Sequence, residues 1–443
     1  MMRFRFLMAF LFLVLIIPVR GNSAESRTFL YDKTYLQASK DAWQSGAPWA
    51  NIAMTSLQAS ADRKLLGDSY SVTKTFGLIS VPGATPHDFI SIGAYFWPNP
   101  KTANGLPYIK RPGHVNPNSG GSLSQFGKVS IAIHRLGLMY FFTENEVYAE
   151  RAAELVRIFF IRSETRMNPN SRFGKVIPGV SMEGGFVVAG MSNYFRLLYE
   201  GLGLIEASPH WRRANKLAMQ QWSSRFLDWM EFSVAGRKEF RNPGNHGSNY
   251  DLLGALLSMY IDDTAGAKRY VRHYLTRIPV QFAADGTQPL EMPHANNFMY
   301  SVYNLKVAAD IADIGKRLGI DVWNFSTADG RGIRKSIDFL TPYMKGVASW
   351  TSWPGEAFAR TPARYHALLQ QAALGFCDPN LLHAADSLGH KYAKYFVNLT
   401  HPQTILSNCH AVTSTVIISG SAQRGQTSTA SNDLSDTDGG LND

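Results

Sequence analysis

The chain of 443 residues carries 45% hydrophobic and 12% aromatic side chains, enough to bury one large core or two smaller ones and too apolar for a disordered polymer. Its 44 basic against 34 acidic residues give a formal charge of +10, or +7 (41 against 34) without Arg3, Arg5 and Arg20 near the amino terminus. A basic body of this kind meets polyanions readily, yet no nucleic-acid-binding module or basic low-complexity arm is present. Two cysteines in 443 residues exclude a disulfide-stapled scaffold.

Residues 1–24 open with Arg3 and Arg5, continue through an apolar run from Phe6 to Val19, and end in small residues. That pattern predicts a secretory signal peptide, the run being too short for a membrane-spanning helix. The protein is therefore expected to be secreted or periplasmic, with no membrane span after signal removal. Residues 25–418 are expected to form the folded domain. From about Ser419 to Asp443 the chain is Ser, Thr, Gly, Gln and Asp with almost no apolar residue, so a disordered tail is expected there.

Between these ends helical periodicity dominates. Tyr148, Ala152, Leu155, Val156 and Phe159 recur at helical spacing, as do Ile333, Ile337, Leu340 and Met344. Similar patterns run from Tyr35 to Ala42, Ile52 to Leu66, Val129 to Phe142, Leu305 to Leu318 and Tyr365 to Leu374. Strand character is scarce, with Val412 to Ile418 the best short candidate. An export compartment permits one disulfide between Cys377 and Cys409, two buried free thiols being the close alternative. Asn324 and Asn398 stand in glycosylation acceptor triplets, relevant only to a eukaryotic host.

Val81 to Gly121 breaks the helical pattern, with seven prolines and six glycines in 41 residues. The stretch also holds Tyr95, Phe96, Trp97 and Tyr108 beside Lys101, Lys110 and Arg111. Disordered segments are poor in aromatics, so an ordered loop is expected. Its flat rings and cations suit an acidic sugar; the plainer alternative is that the aromatics pin the loop to the helices beneath.

Two further segments stand at predicted helix starts. Asn242 to Asp251 separates the run Trp222, Phe226, Trp229, Met230 from the run Leu252, Leu253, Leu256, Leu257, Tyr260, placing Asn245 and His246 where free N–H groups and the helix dipole favour an anion. The plainer reading makes Asn245 a cap and His246 a packed loop residue. Some forty residues on, Ala284 to His294 has turn chemistry and leads into Phe298 to Leu305, carrying Glu291, His294 and Tyr300. In a ring of antiparallel helix pairs, alternate helix starts fall on one rim and would bring the two segments to one cleft. No His-Glu-x-x-His or Cys-x-x-Cys motif occurs, and neither a metal nor a cofactor is called for.

Several motifs in order resemble the alginate-lyase-like polysaccharide lyases. They are His87-Asp88-Phe89-Ile90-Ser91, Tyr95-Phe96-Trp97-Pro98-Asn99-Pro100, Gly105 to Ile109 with Val115-Asn116-Pro117, Arg166 to Asn170 with Ile177-Pro178-Gly179, Asn245-His246-Gly247-Ser248, Asp285 to Glu291, and Tyr300 ahead of Asn304-Leu305. The resemblance spans about Ser69 to Met344. It implies an all-α fold, an (α/α) toroid or incomplete barrel of about five to six helix pairs with the long Pro/Gly-rich loop ordered against it. It also implies β-elimination in a 1,4-linked polyuronate, alginate or glucuronan-like, with an anionic polysaccharide as partner.

In that chemistry the uronate carboxylate must be neutralised before C5 releases its proton, while an acid protonates the departing O4. The resemblance assigns Asn245 to the carboxylate and His246 and Tyr300 to proton transfer. Tyr300 would act as both base and acid where proton and leaving group share a face of the ring, and His246 as base where they do not. Tyr95, Trp97, Tyr108, Arg111, Glu291 and His294 are the expected substrate-binding residues. Members of the family commonly carry an arginine between the residues matching Glu291 and Tyr300. None stands there in this chain; His294 is the nearest basic residue, and Arg241, Arg111 and Lys110 are the other cations that could compensate. The alternatives are a binding protein that keeps the cleft without turnover, and a glycoside hydrolase drawing a carboxylate pair from Glu183, Asp251, Asp285 and Glu291.

Overall fold

The computed structural model describes residues 25–183, 185–350 and 362–408, and the backbone of 414–419 and 429–434. The expected signal segment, Cys409 and most of the expected tail lie outside the described residues. Cys377 is disulfide-bonded. Within the expected tail, Thr429–Leu434 forms a strand paired antiparallel with Ser414–Ser419, the latter overlapping the run read as the best strand candidate.

Helices make the body. They are α1 (Lys33–Gln44), α2 (Pro48–Leu65), α3 (Gly121–Thr143), α4 (Glu146–Val156), α5 (Val188–Leu204), α6 (Arg213–Phe232), α7 (Val234–Phe240), α8 (Asn245–Tyr260), α9 (Thr264–Gln281), α10 (Asn297–Leu318) and α11 (Ile333–Met344). Two more, Pro362–Phe376 and Pro379–Asp386, follow. α3, α5, α8, α10 and Pro362–Phe376 pack successively on one another as an inner row, with α2, α4, α6, α9 and α11 outside, giving five outer–inner pairs among the described residues. The short helix Val397–Thr400 packs on α1 and α2, and the His401 ring meets Tyr31 edge-on, so the last turns of the described chain return to the first. This is the expected (α/α) toroid.

An inner helix has neighbours on every side and so reads as apolar nearly all round. α8 shows this: of its residues only His246 and Met259 escape full burial. Where two inner helices meet most closely, glycine is required. A Cβ on Gly201 of α5 would stand 2.6 Å from the carbonyl oxygen of Ile133 in α3, and one on Gly137 would stand 2.7 Å from the carbonyl oxygen of Gly201. Gly201→Ala is expected to lower stability by about 1–3 kcal/mol through overpacking, read as a lower denaturation midpoint at unchanged slope.

The inner helices run in parallel, so their starts share one rim and their ends the other. At the far rim, Arg27 N–H bonds to Gly203 O (2.8 Å), the buried Glu200 carboxylate accepts the N–H of Phe29 (2.8 Å), and Arg317 reaches Tyr31 O. The segment 27–32 thus closes the C-terminal ends of α5 and α10. At the opposite rim lie the starts of α3, α5, α8 and α10, covered by the long loop.

That loop is ordered, as expected, by very short strands. Ile90–Ile92 pairs in parallel with Phe173–Val176, and Phe96–Trp97 pairs antiparallel with Ile109–Lys110. Strands of two to four residues carry no readable alternation, which is why the sequence pattern did not show them. Asn116 ties the turn by donating Nδ2 to Phe96 O (2.8 Å). Asn168 ties the loop to the helices through Asp88 (2.9 Å), and the His87 ring pairs with Arg166 O at 2.8 Å. The Arg166–Asn170 motif is therefore a structural tether. Asn398 is buried and donates to the carbonyls of Tyr392, Ala393 and Tyr395, which bars it as a glycan acceptor.

Candidate active site

α8 starts at Asn245 with Gly244 as its N-cap, so no side chain of its own segment satisfies the first N–H groups. Asn245 is the first helical residue and not the cap. The missing acceptor arrives from 46 residues away: Glu291 accepts the backbone N–H of Asn245 at 2.9 Å and its side-chain Nδ2 at 2.6 Å. Glu291 is 1% exposed, and burial pushes its carboxyl up despite the two bonds from Asn245 that oppose the shift. It anchors Asn245 and does not cap its own helix.

The loop leading into α8 is held from behind by Arg277 of α9. Its guanidinium donates to Asn242 O (2.7 Å) and Phe240 O (2.7 Å), while Nε binds Asp251 (2.6 Å). Gln281 adds a bond to Pro243 O (2.8 Å). The Arg277–Asp251 pair is buried, with His273 on the same carboxylate at 3.0 Å. Presentation of Asn245 and His246 thus depends on an ion pair in the wall of the toroid.

His246, half-buried, sets Nδ1 2.6 Å from the Glu239 carboxylate of α7. A carboxylate can only accept, so Nδ1 carries the hydrogen and the Nε2 lone pair is left for chemistry. Glu239→Gln is expected to lower kcat by about tenfold to a hundredfold with little change in KM, since the amide can hold the other tautomer. Steady-state kinetics checks this split, which a general loss of folding would not produce.

Tyr300 lies in the first turn of α10. Its hydroxyl is 2.7 Å from that of Tyr95, and the His294 ring stacks on it with centroids 3.9 Å apart and planes 11° apart. His294 Nε2 is in turn 3.4 Å from Glu291. Burial, then the Tyr95 hydroxyl and the Glu291 charge, push the Tyr300 phenol well up, so it holds its proton at neutral pH. Burial pushes the His294 imidazole down, and His246 and Lys110 push it further. Asn245, Glu291, His294, Tyr300 and Tyr95 therefore form one connected cluster, with His246 facing it.

The loop aromatics divide. Tyr95 joins the cluster. Trp97 donates Nε1 to His114 O (2.9 Å) and lies under the Arg111 guanidinium, 5.2 Å from ring centroid to Cζ. Tyr108 sits just outside the Trp97–Ile109 pair, its N–H bonded to Pro178 O (2.9 Å). Arg241 is exposed at the end of α7.

Each of the four carboxylates that could serve glycoside hydrolysis has another partner. Asp251 is locked by Arg277, Glu291 by Asn245, Glu183 lies against Arg172, and Asp285 caps its own turn through Thr287. Among the described residues no group of three or more His, Cys, Asp or Glu side chains is placed to hold a metal, and no helix is long and apolar enough to cross a membrane.

The fold and this cleft define a polysaccharide lyase. Residues 79–350 match the family model described as alginate lyase, and the chain belongs to that family. Among solved structures it is similar to an alginate lyase from Bacteroides ovatus, 26% identical, with a TM-score of 0.80 over 85% of this chain and 100% of that one. It shares its fold with alginate lyase A1-III from Sphingomonas species A1, at 16% identity and TM-score 0.52 over 85% and 97% of the two chains. A variant of alginate lyase A1-III complexed with a tetrasaccharide matches at 16% identity and TM-score 0.54, over 85% and 98%. No curated protein matches the sequence.

Proposed function

We propose that this protein is an exported lyase that cleaves a 1,4-linked polyuronate, of the alginate or glucuronan kind, by β-elimination and leaves an unsaturated uronate. The observation that carries the reading is the cluster itself: a buried amide at a helix start, an imidazole with a free Nε2, and a protonated phenol gathered on one rim. The start of α8 and Asn245 receive the carboxylate and the enolate-like charge that develops beside it. Tyr300, which keeps its proton, protonates the departing O4.

The base depends on the sugar. Where the C5 proton and O4 lie on opposite faces, His246 takes the proton through Nε2. When they share a face, as in mannuronate or glucuronate, Tyr300 serves in both roles: it first yields its proton to solvent through the Tyr95 hydroxyl at 2.7 Å, then takes the C5 proton as phenolate and delivers that proton to O4. Tyr95, Trp97, Tyr108 and Arg111 line the approach with aromatic faces and a cation suited to acidic sugars. The basic charge of the chain favours encounter with such a polyanion.

The test is ultraviolet absorbance of the conjugated alkene during incubation with polymannuronate, polyguluronate, glucuronan and a neutral glucan. A rise on one or more polyuronates and none on the glucan is expected. Chain shortening of a polyuronate without absorbance would instead mean hydrolysis, and binding without either would mean a cleft that has lost turnover.

A further inference from the structure

Elimination requires the uronate carboxylate to lose its negative charge before C5 gives up a proton, and the cleft around Tyr300 is short of permanent cations. Arg277 is bound to Asp251 and two carbonyls behind the loop. Arg111 lies on Trp97, outside the cluster, and Lys110, although near enough to act on the His294 imidazole, is exposed on the loop strand. Asn245 gives one Nδ2 hydrogen to Glu291 and can offer the sugar only the other, a neutral donor without charge, and His246 gives Nδ1 to Glu239. What remains is His294, flat against Tyr300 and 3.4 Å from a carboxyl that is itself buried.

We infer that Glu291 and His294 share one proton that neutralises the carboxylate of the bound uronate, so that substrate binding takes up a proton from solvent. The inference rests on the polyuronate reading above. The groups facing His294 are Glu291 from the preceding turn, Tyr300 from α10, Tyr95 and Lys110 from the long loop, and His246 from α8. Burial, His246 and Lys110 act against a proton on the imidazole, and the carboxyl 3.4 Å from Nε2, that of Glu291, is the group placed to accept a hydrogen from it. A second carboxylate, brought by the sugar, tips that balance. The stacked phenol holds the ring in place so that its charge appears beside the sugar at which Tyr300 transfers its proton.

The sign follows from linkage. The proton-bearing pair is the form that binds, so affinity is full below the pair's protonation range in the free protein. Above that range it falls by about tenfold per pH unit, as the proton must be taken up from a scarcer supply. Arginine at this position would carry its charge at every pH and could stack on Tyr300 in the same way.

The experiment is calorimetric binding of a uronate oligosaccharide to Tyr300→Phe, which holds turnover off, in two buffers of different ionisation heat at mildly alkaline pH. Uptake of about one proton is expected, and none when His294→Arg is added. The same H294R change in the otherwise native chain should flatten the rise of KM with pH, whereas His294→Gln should raise KM across the range. Binding without proton uptake, or equal uptake with arginine in place, would overturn the inference. Binding with uptake but no unsaturated product from the native chain would overturn the elimination reading and leave the shared proton standing. Absence of binding at every pH would overturn both.

Discussion

Tyr300→Phe is expected to slow elimination by about a thousandfold or more while oligosaccharide affinity stays within a few-fold. The phenol hydroxyl combines a retained proton with a place in the cluster between the His294 ring and the Tyr95 hydroxyl. Removing the oxygen takes away the acid for O4 on either stereochemical route. On the same-face route it takes away the base as well. The ring remains, and with it the stack against His294, so binding contacts survive. Absorbance of the unsaturated product measures the first effect and calorimetry the second. Retention of more than about a tenth of the rate would remove Tyr300 from the chemistry, since general acid catalysis of this kind contributes at least a hundredfold.

Arg277→Met is expected to cost about 3–5 kcal/mol of stability and most of the activity, although Arg277 does not face the cleft. The substitution leaves Asp251, 1% exposed, as a buried carboxylate facing only His273. It also releases the carbonyls of Phe240 and Asn242, whose bonds to the guanidinium fix the path of the loop into Asn245 and His246. The two losses are separable. In an Arg277→Met, Asp251→Leu double variant no charge is left unpaired, so denaturant unfolding should show much of the stability restored. The loop would still be untethered and kcat/KM would stay low. Recovery of both together would mean that the ion pair holds up the fold and does nothing particular for the site.

The sequence carried the helical framework well, because amphipathic and fully apolar helices both leave a periodic trace that local chemistry does not obscure. Tyr148 to Phe159 and Ile333 to Met344 read as helices and are helices, the former ending in a π-helical turn from Arg157 to Ile161. The two polar segments before α8 and α10 were also legible as helix starts, since turn residues there give way to apolar periodicity. Their convergence on one rim then follows from the parallel inner row.

What the sequence could not show is which distant side chain completes each local feature. Glu291 takes the acceptor role at the start of α8, a service a cap residue normally gives within its own turn, and nothing near Asn245 signals it. Glu239 lies only seven residues before His246 but on a separate short helix, so the carboxylate–imidazole contact depends on how α7 folds back on α8. Arg277 sits among the other basic residues of α9, Lys268, Arg269 and Arg272, and only its burial marks it. In the Arg166–Asn170 motif, the carbonyl of Arg166 and the side chain of Asn168 tie down the long loop.

The most direct test of the account is the fate of water in the reaction. Digestion of a susceptible polyuronate in water enriched in heavy oxygen, followed by mass analysis of the fragments, distinguishes bond cleavage by elimination from cleavage by hydrolysis. The account predicts fragments that carry an unsaturated uronate at the new non-reducing end and no heavy oxygen inserted at the scissile bond. Saturated fragments bearing one heavy oxygen at the new reducing end, under conditions where uncleaved sugar exchanges none, would contradict it.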